Sequence, residues 1–134
     1  MLRFIFLNEN ISVTDLTVPA PDRLYIAPEP QAEALAAELF PMKKAVPMPG
    51  LAADQPAPDY PRATACFDAL YGNFRVLYQD DDAEVSVIVI ADKAVLTAIL
   101  RSRSADPDAW HDKTPGAGVV TRSGGSALII ERLL

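Results

Sequence analysis

The chain has 134 residues, the length of one domain, since single hydrophobic cores are commonly built from about 100 to 150 residues. Half of its residues are hydrophobic and its mean hydropathy is +0.12, which excludes the composition of disordered proteins. The net charge of −6 excludes the basic surface that direct nucleic-acid binding requires.

The cysteine count and the hydrophobic runs indicate where the protein works. Cys66 is the single cysteine, so an intrachain disulfide and a zinc site built on several thiolates are excluded. No apolar run reaches the ~18 residues of a membrane span, and Asn8 ends the first run too early for a signal peptide. We therefore expect a cytoplasmic or virion protein that has no cofactor, signal peptide or transmembrane segment.

Prolines divide the chain into two parts. Ten of the twelve lie between Pro19 and Pro61, where they permit turns, extended segments and short helices but no central strand. We predict a single domain over residues 1–134. It would comprise a proline-rich flank, residues 1–61, with a short hairpin and a helix, and a compact core, residues 62–134.

The predicted elements of the flank follow from local pattern. Residues 2–6 and 11–14 form a short hairpin across the turn-prone Asn8-Glu9-Asn10. Residues 24–27 form an extended piece between prolines, which places it at a sheet edge or on another subunit. A helix runs over residues 30–40, and residues 42–60 form a long proline-rich loop or arm.

The core begins with a second predicted helix over residues 61–71, ended by Gly72. The pattern then alternates, which predicts a hairpin of residues 74–78 and 85–90 across the turn at residues 80–82. The second strand is apolar on both faces, as a central strand is.

Three more elements complete the predicted core. Asp92 caps a helix over residues 93–103, although a short apolar run also permits a strand. A loop follows at residues 105–118, and residues 119–130 form a hairpin around Gly124 and Gly125. The fold class predicted is α+β, a small antiparallel or mixed β-sheet with two or three short helices and the long proline-rich loop.

One segment could carry chemistry. Residues 106–112 bring together the single histidine, the single tryptophan and several carboxylates, and the candidate polar site is Asp108, Trp110, His111 and Asp112. His111 would act as a base or metal ligand that a carboxylate orients. We favour a polar loop anchored by Trp110, because a lone histidine lacks the second ligand that a transition-metal site requires.

Other motifs favour structural interpretations. Asp80, Asp81, Asp82 and Glu84 lack the spacing of an EF-hand and indicate a solvated turn. Residues 116–121 lack the third glycine of a dinucleotide fingerprint. Cys66 lies on the apolar face of a predicted helix, which indicates core packing.

The sequence favours a non-enzymatic function. We expect a structural or interaction protein, a small subunit of a larger bacterial or viral, virion-like assembly. Its proline-rich arm and sheet edges would contact other subunits of an oligomer, with no nucleic-acid or membrane partner. The predicted contact residues are Met42, Met48, Leu51 and Tyr60. One alternative is a monomeric acidic binding or inhibitor module for one protein partner, and a second is a small enzyme using His111 with nearby carboxylates.

Overall fold

The computed structural model describes residues 2–10, 18, 20–54, 60–77, 85–103, 118–124 and 127–132. The strands are β1 (Leu2–Asn8), β2 (Arg23–Ile26), β3 (Val46–Pro47), β4 (Val85–Ala91), β5 (Gly118–Gly124) and β6 (Ala127–Arg132). The helices are α1 (Pro30–Leu39), α2 (Pro61–Leu77) and α3 (Lys93–Arg103), with a 3₁₀ turn at Pro49–Leu51.

The strands form one sheet in the order β3-β2-β4-β1-β5-β6. The first four strands in that order are parallel, and the hairpin of β5 and β6 is added antiparallel at the β1 edge. The predicted α+β class with a small antiparallel or mixed sheet was wrong, because the body of the sheet is four parallel strands and antiparallel pairing is confined to the added hairpin. The structure is an α/β fold built on a four-stranded parallel sheet with three helices, because β1, β2 and β4 pair in parallel across long stretches of chain.

The centre of the sheet is covered on both faces. Every residue of β4 is buried, and so are the four consecutive residues Phe4, Ile5, Phe6 and Leu7 of β1. Successive side chains of a strand point to opposite faces, so burial of all of them requires a layer on each side. The core therefore lies around β1 and β4.

Aromatic rings join β1 to helix α2. The Phe67 ring centroid lies 5.1 Å from that of Phe4 and 5.3 Å from that of Phe6, both edge to face. Tyr71 and Phe74 also contact Phe4. Because these α2 residues recur at intervals of three and four, they form one apolar helix face.

Several predicted elements required correction. Residues 74–77 are the last turn of α2 and not a strand, and the helix continues through Gly72. The predicted hairpins of residues 2–14 and 74–90 were also wrong where they are described, because β1 and β4 pair with each other in parallel. The partner segment of residues 11–14 and the turn of residues 80–82 lie outside the described residues.

The position of β2 was also predicted wrongly. This strand lies between β3 and β4, and the prediction had placed it at a sheet edge or on another subunit. Pro21 and Pro28 flank it without interrupting its ladder, and the edge is instead β3, which has only two residues.

Three local predictions were confirmed. Helix α1 begins at Pro30, helix α3 spans Lys93–Arg103, and β5 and β6 form the last hairpin. The loop of residues 42–60 contains β3 and the 3₁₀ turn, and residues 55–59 lie outside the described part. Assignment of residues 1–134 to a single domain stays a prediction.

None of the helices in the described part of the chain is both long enough and apolar enough to cross a membrane.

Candidate functional site

Three carboxylate side chains follow three neighbouring parallel strands. Glu9 comes directly after β1, Asp92 directly after β4, and Glu29 three residues after β2. Because β2, β4 and β1 are adjacent and parallel, their carboxyl ends meet at one edge of the sheet. Ligand sites of open parallel α/β sheets lie at this edge.

Backbone hydrogen bonds hold the three strand ends together. The Glu9 N–H donates to the Ala91 carbonyl over 3.0 Å, and the Ala27 N–H donates to the Ile90 carbonyl over 2.8 Å. These bonds extend the ladders by one residue beyond the strands, so the chain that carries Glu9 is fixed beside the chain that carries Asp92.

Local turns then orient the side chains. The Asp92 carboxylate accepts from the Ala94 N–H over 2.9 Å and caps α3, as predicted. One carboxylate oxygen of Glu29, Oε1, accepts from the Ala53 N–H over 2.9 Å. This bond ties the start of α1 to the segment after the 3₁₀ turn.

Glu9 is the most unusual residue of the edge. The residue is 8% exposed, and its Oε2 is buried without a hydrogen-bond partner among the described residues. Burial, together with the nearby carboxylates of Glu29 and Asp92, raises the pKa of Glu9 to about 7 from an ordinary value of 4.5. The group therefore exchanges its proton near neutral pH.

Glu29 shares this environment. Burial raises its pKa, the hydrogen bond from Ala53 opposes that rise, and the charges of Asp92 and Asp54 add to it. Its second oxygen, Oε2, is also buried and has no partner in the described ranges. Glu9 and Glu29 thus present two carboxyl groups, each with an oxygen that the described protein does not satisfy.

A cleft opens beside Glu29. Its volume is about 420 Å³, and it is lined by Pro28, Glu29, Ala52, Ala53 and Asp54. Small-molecule sites commonly occupy about 300 to 1,000 Å³, so the cleft has room for a small ligand. We use the name carboxyl-end site for Glu9, Glu29, Asp54, Asp92 and this cleft.

The arrangement suits proton transfer better than metal binding. Within the residues the structure describes, no group of three or more histidine, cysteine or acidic side chains is placed to hold a metal ion. A buried carboxyl group that titrates near neutral pH can instead act as a general acid or base.

The predicted contact residues do not form one exposed surface. Met42 is 97% exposed, whereas Leu51 is 1% exposed and packs in the core. Met48 is half-buried, with its Sδ 3.8 Å from the Cys66 Sγ. Tyr60 is half-buried at the start of α2 and has a positive φ of 47°. Their role in partner binding stays a prediction.

The remaining predicted candidates are placed as follows. Asp108, Trp110, His111 and Asp112 lie outside the described residues, and so do Asp80, Asp81, Asp82 and Glu84. Cys66 is half-buried, and burial raises the pKa of its thiol, which leaves it a weak nucleophile near neutral pH.

Sequence reasoning missed Glu9, Glu29 and Asp54, and it assigned Asp92 to capping alone. Glu9 was interpreted as part of a turn, since Asn8 and Asn10 flank it. The available signal was position, because Glu9, Glu29 and Asp92 each lie within three residues of the end of a strand. That signal indicates a common site only when the strands are known to be parallel neighbours.

The chain was compared with known proteins, and neither a protein-family model nor a curated protein sequence matches it. Solved structures do. Phosphoglycerate mutase from Plasmodium falciparum superposes with a TM-score of 0.65 at 12% identity, covering 98% of this chain and 89% of that one. A histidine-to-alanine mutant of phosphoserine phosphatase from Entamoeba histolytica, in complex with phosphoserine, gives 0.59 at 11% identity, covering 97% and 95%.

These similarities define the fold class, an α/β sheet of the kind found in phosphoglycerate mutase and phosphoserine phosphatase. They overturn the expected function. The non-enzymatic structural subunit of a bacterial or viral, virion-like assembly was a wrong prediction, because the fold matches enzymes over nearly the whole chain. The assembly hypothesis rested on proline clustering, which the structure accommodates at β2, β3 and the helix starts.

Proposed function

We propose that this chain is an enzyme that transfers protons at the carboxyl-end site, with Glu9 as its acid–base group. The observation that carries the proposal is the state of Glu9, which is buried, has an oxygen without a described partner and has a pKa raised to about 7. A group that titrates near the working pH is both available in the needed protonation state and effective in proton transfer.

The neighbouring residues have defined parts in this proposal. Burial, together with the negative charges of Glu29 and Asp92, keeps a proton on Glu9. The bond from the Ala53 N–H holds Glu29 in place beside the cleft. A substrate in the cleft would lie against Glu29, which lines it, and Glu9, which does not line the cleft, would exchange its proton from beside Glu29.

The fold supports the proposal of an enzyme, and the residue types at the site favour one kind of reaction over others. The described part of the carboxyl-end site contains four carboxylates and no histidine, cysteine or serine, so it offers proton transfer in preference to a neutral nucleophile. This proposal retains the earlier alternative of a small enzyme with carboxylates. The proposed acid–base residue is now Glu9 in place of His111.

The test is a pH profile with a matched control. Purified protein is assayed on a panel of small esters, amides, amines and phosphate monoesters. For the substrate that turns over, kcat/KM should inflect near pH 7, and Glu9→Gln should lower it by about 100-fold, the lower end of what a positioned acid or base contributes. Glu38→Gln, an exposed carboxylate on α1, should leave it unchanged. Turnover that Glu9→Gln leaves intact would contradict the proposal.

A second candidate function is turnover of phosphate esters. It is favoured by the fold, since a phosphoglycerate mutase and a phosphoserine phosphatase are among the solved structures that resemble it. The charge of the site opposes it, because four carboxylates repel a phosphate dianion. Hydrolysis of p-nitrophenyl phosphate that requires Glu9 would favour this candidate, with protonated Glu9 as the acid toward the leaving group.

A further inference from the structure

The carboxyl-end site contains hydrogen-bond acceptors that lack donors. The Oε2 atoms of Glu9 and Glu29 are both buried, and neither has a partner in the part of the chain described. Buried polar atoms are almost always paired, because an unpaired one loses its hydrogen bonds to water without gaining any in the protein. Two such atoms on neighbouring acidic residues indicate that a donor from outside the chain completes the site.

The negative charge of the site indicates that the molecule supplying the donors is a cation. The charges of Glu29 and Asp92 add to the burial that raises the pKa of Glu9, and the charges of Asp92 and Asp54 add to the burial that raises the pKa of Glu29. None of these four carboxylates forms an ion pair with a described residue. Among the described residues, Arg103 is paired instead with Asp68. An arriving cation would therefore meet several carboxylates that no described lysine or arginine neutralises.

The geometry distinguishes an organic cation from a metal ion. A metal ion requires several oxygen ligands at short distances around one point. Within the described ranges, no group of three or more acidic side chains is placed to provide them. An amine or guanidinium carries N–H donors that reach separate acceptors. The cleft beside Glu29, about 420 Å³, gives space for the carbon chain of such a molecule.

We propose that the carboxyl-end site binds a small organic cation, an amine or guanidinium whose N–H groups donate to the unpaired oxygens of Glu9 and Glu29. The inference rests on the proposed function, because it names the substrate class of the same site. Glu9 is then both a binding partner of the substrate and the group that exchanges its proton.

The experiment is calorimetric titration of the purified chain with 1,4-diaminobutane at pH 7. Two zwitterionic buffers of different ionisation enthalpy are used, so that proton release is measured along with affinity. We expect a millimolar or tighter Kd, and release of up to about half a proton, because a bound cation favours the ionised form of Glu9.

Matched ligands and variants make the result specific. The fully methylated analogue of the diamine has the same charge but no N–H donor, and it should bind at least about tenfold more weakly. Glu9→Gln should also weaken diamine binding by about tenfold or more, whereas Glu38→Gln should not. Circular dichroism and the unfolding midpoint establish that each variant is folded.

Four outcomes would overturn the inference: no diamine binding, equal binding of the methylated analogue, diamine binding unchanged in folded Glu9→Gln, or stronger binding of inorganic phosphate or Mg²⁺ at the same residues. The proposed function fails separately. Diamine binding through Glu9 with no Glu9-dependent turnover contradicts the enzyme, whereas Glu9-dependent turnover of neutral or anionic substrates alone contradicts the cation.

Discussion

The two ends of the parallel strands treat their polar groups differently. At the amino end, Asp22 and Ser86 satisfy each other, since the Ser86 N–H donates to Asp22 Oδ2 and the Asp22 N–H donates to the Ser86 carbonyl, both over 2.8 Å. Arg3 adds a bond to the Ser86 hydroxyl over 3.3 Å. At the carboxyl end, Glu9 and Glu29 each keep a buried oxygen with no described partner.

This difference separates stability from function. The paired groups at the amino end stabilise the junction of β2 and β4, because the Ser86 N–H and the Asp22 N–H each have an acceptor. Unpaired carboxyl groups at the other end destabilise the folded chain. A protein retains such an energetic cost at a site where ligand binding offsets it. The comparison predicts that mutations at the two ends change stability in opposite directions near and above neutral pH.

The largest effect should come from the interior that supports both ends. Phe67 is 2% exposed and contacts Phe4 and Phe6, so Phe67→Ala should lower the free energy of unfolding by about 3 to 5 kcal/mol. The contact is apolar, so the loss should be the same at pH 5 and pH 8. Urea denaturation at both pH values measures it, with Phe67→Leu as the milder control. A strongly pH-dependent loss would contradict the assignment of Phe67 to the apolar face that α2 packs against β1.

The next effect is the pH dependence that Glu9 confers. Its folded-state pKa of about 7 lies above the ordinary 4.5, so the folded chain holds a proton that the unfolded chain has lost between these values. The contribution of Glu9 to stability is therefore full below pH 4.5 and is lost as the pH rises through 7. One pKa unit corresponds to about 1.4 kcal/mol, so the loss is about 3 kcal/mol, and Glu29 changes stability in the same direction.

Glu9→Gln should remove that dependence and leave a chain that is more stable than the native one at pH 8. Unfolding free energies from pH 4 to pH 9 measure the effect, and Glu38→Gln controls for loss of a surface charge. If the native chain and Glu9→Gln show parallel profiles, the carboxyl end does not hold the proton assigned to it.

Mutations at the amino end of the parallel strands should lower the stability of the folded chain. Asp22→Ala removes the acceptor of the buried Ser86 N–H and should cost about 1 to 2 kcal/mol. Asp22→Asn retains a side-chain oxygen that can accept the same bond, so it should cost less than the alanine variant. Thermal unfolding of both variants tests this, and equal stability of Asp22→Ala and the native chain would remove the contrast between the two ends.

The smallest effect should occur away from both ends. Gly72 lies on an exposed turn of α2, and a Cβ added there meets nothing within 4 Å. Gly72→Ala should stabilise the chain by about 0.5 to 1 kcal/mol through helix propensity, at every pH. A destabilised Gly72→Ala variant would indicate that α2 ends earlier than Leu77.

Elements with a local signal could be predicted from the sequence. Pro30 begins a helix, Asp92 caps one, and the Gly124-Gly125 pair in the sequence marks a hairpin, because each signal acts over a few residues. Helix α2 was cut short at Gly72, although Phe67, Tyr71 and Phe74 follow the helical period on both sides of it.

Strand pairing could not be predicted in the same way. Residues 85–91 are apolar on both faces, which is typical of a buried parallel strand, but the pattern does not name the neighbours. β4 pairs with β1 at the start of the chain and with β2 in its proline-rich part. Since Glu9, Glu29 and Asp92 meet only through these pairings, the site was not predictable from residues considered locally.

The most direct test of the account is the pKa of Glu9 itself, followed by carbon-detected NMR of the side-chain carboxyl group as pH is varied. The account predicts an inflection near pH 7 in the free protein, moved to lower pH by 1,4-diaminobutane. An inflection near the ordinary 4.5, unaffected by the diamine, would contradict the assignment of the carboxyl end as a proton-transfer site.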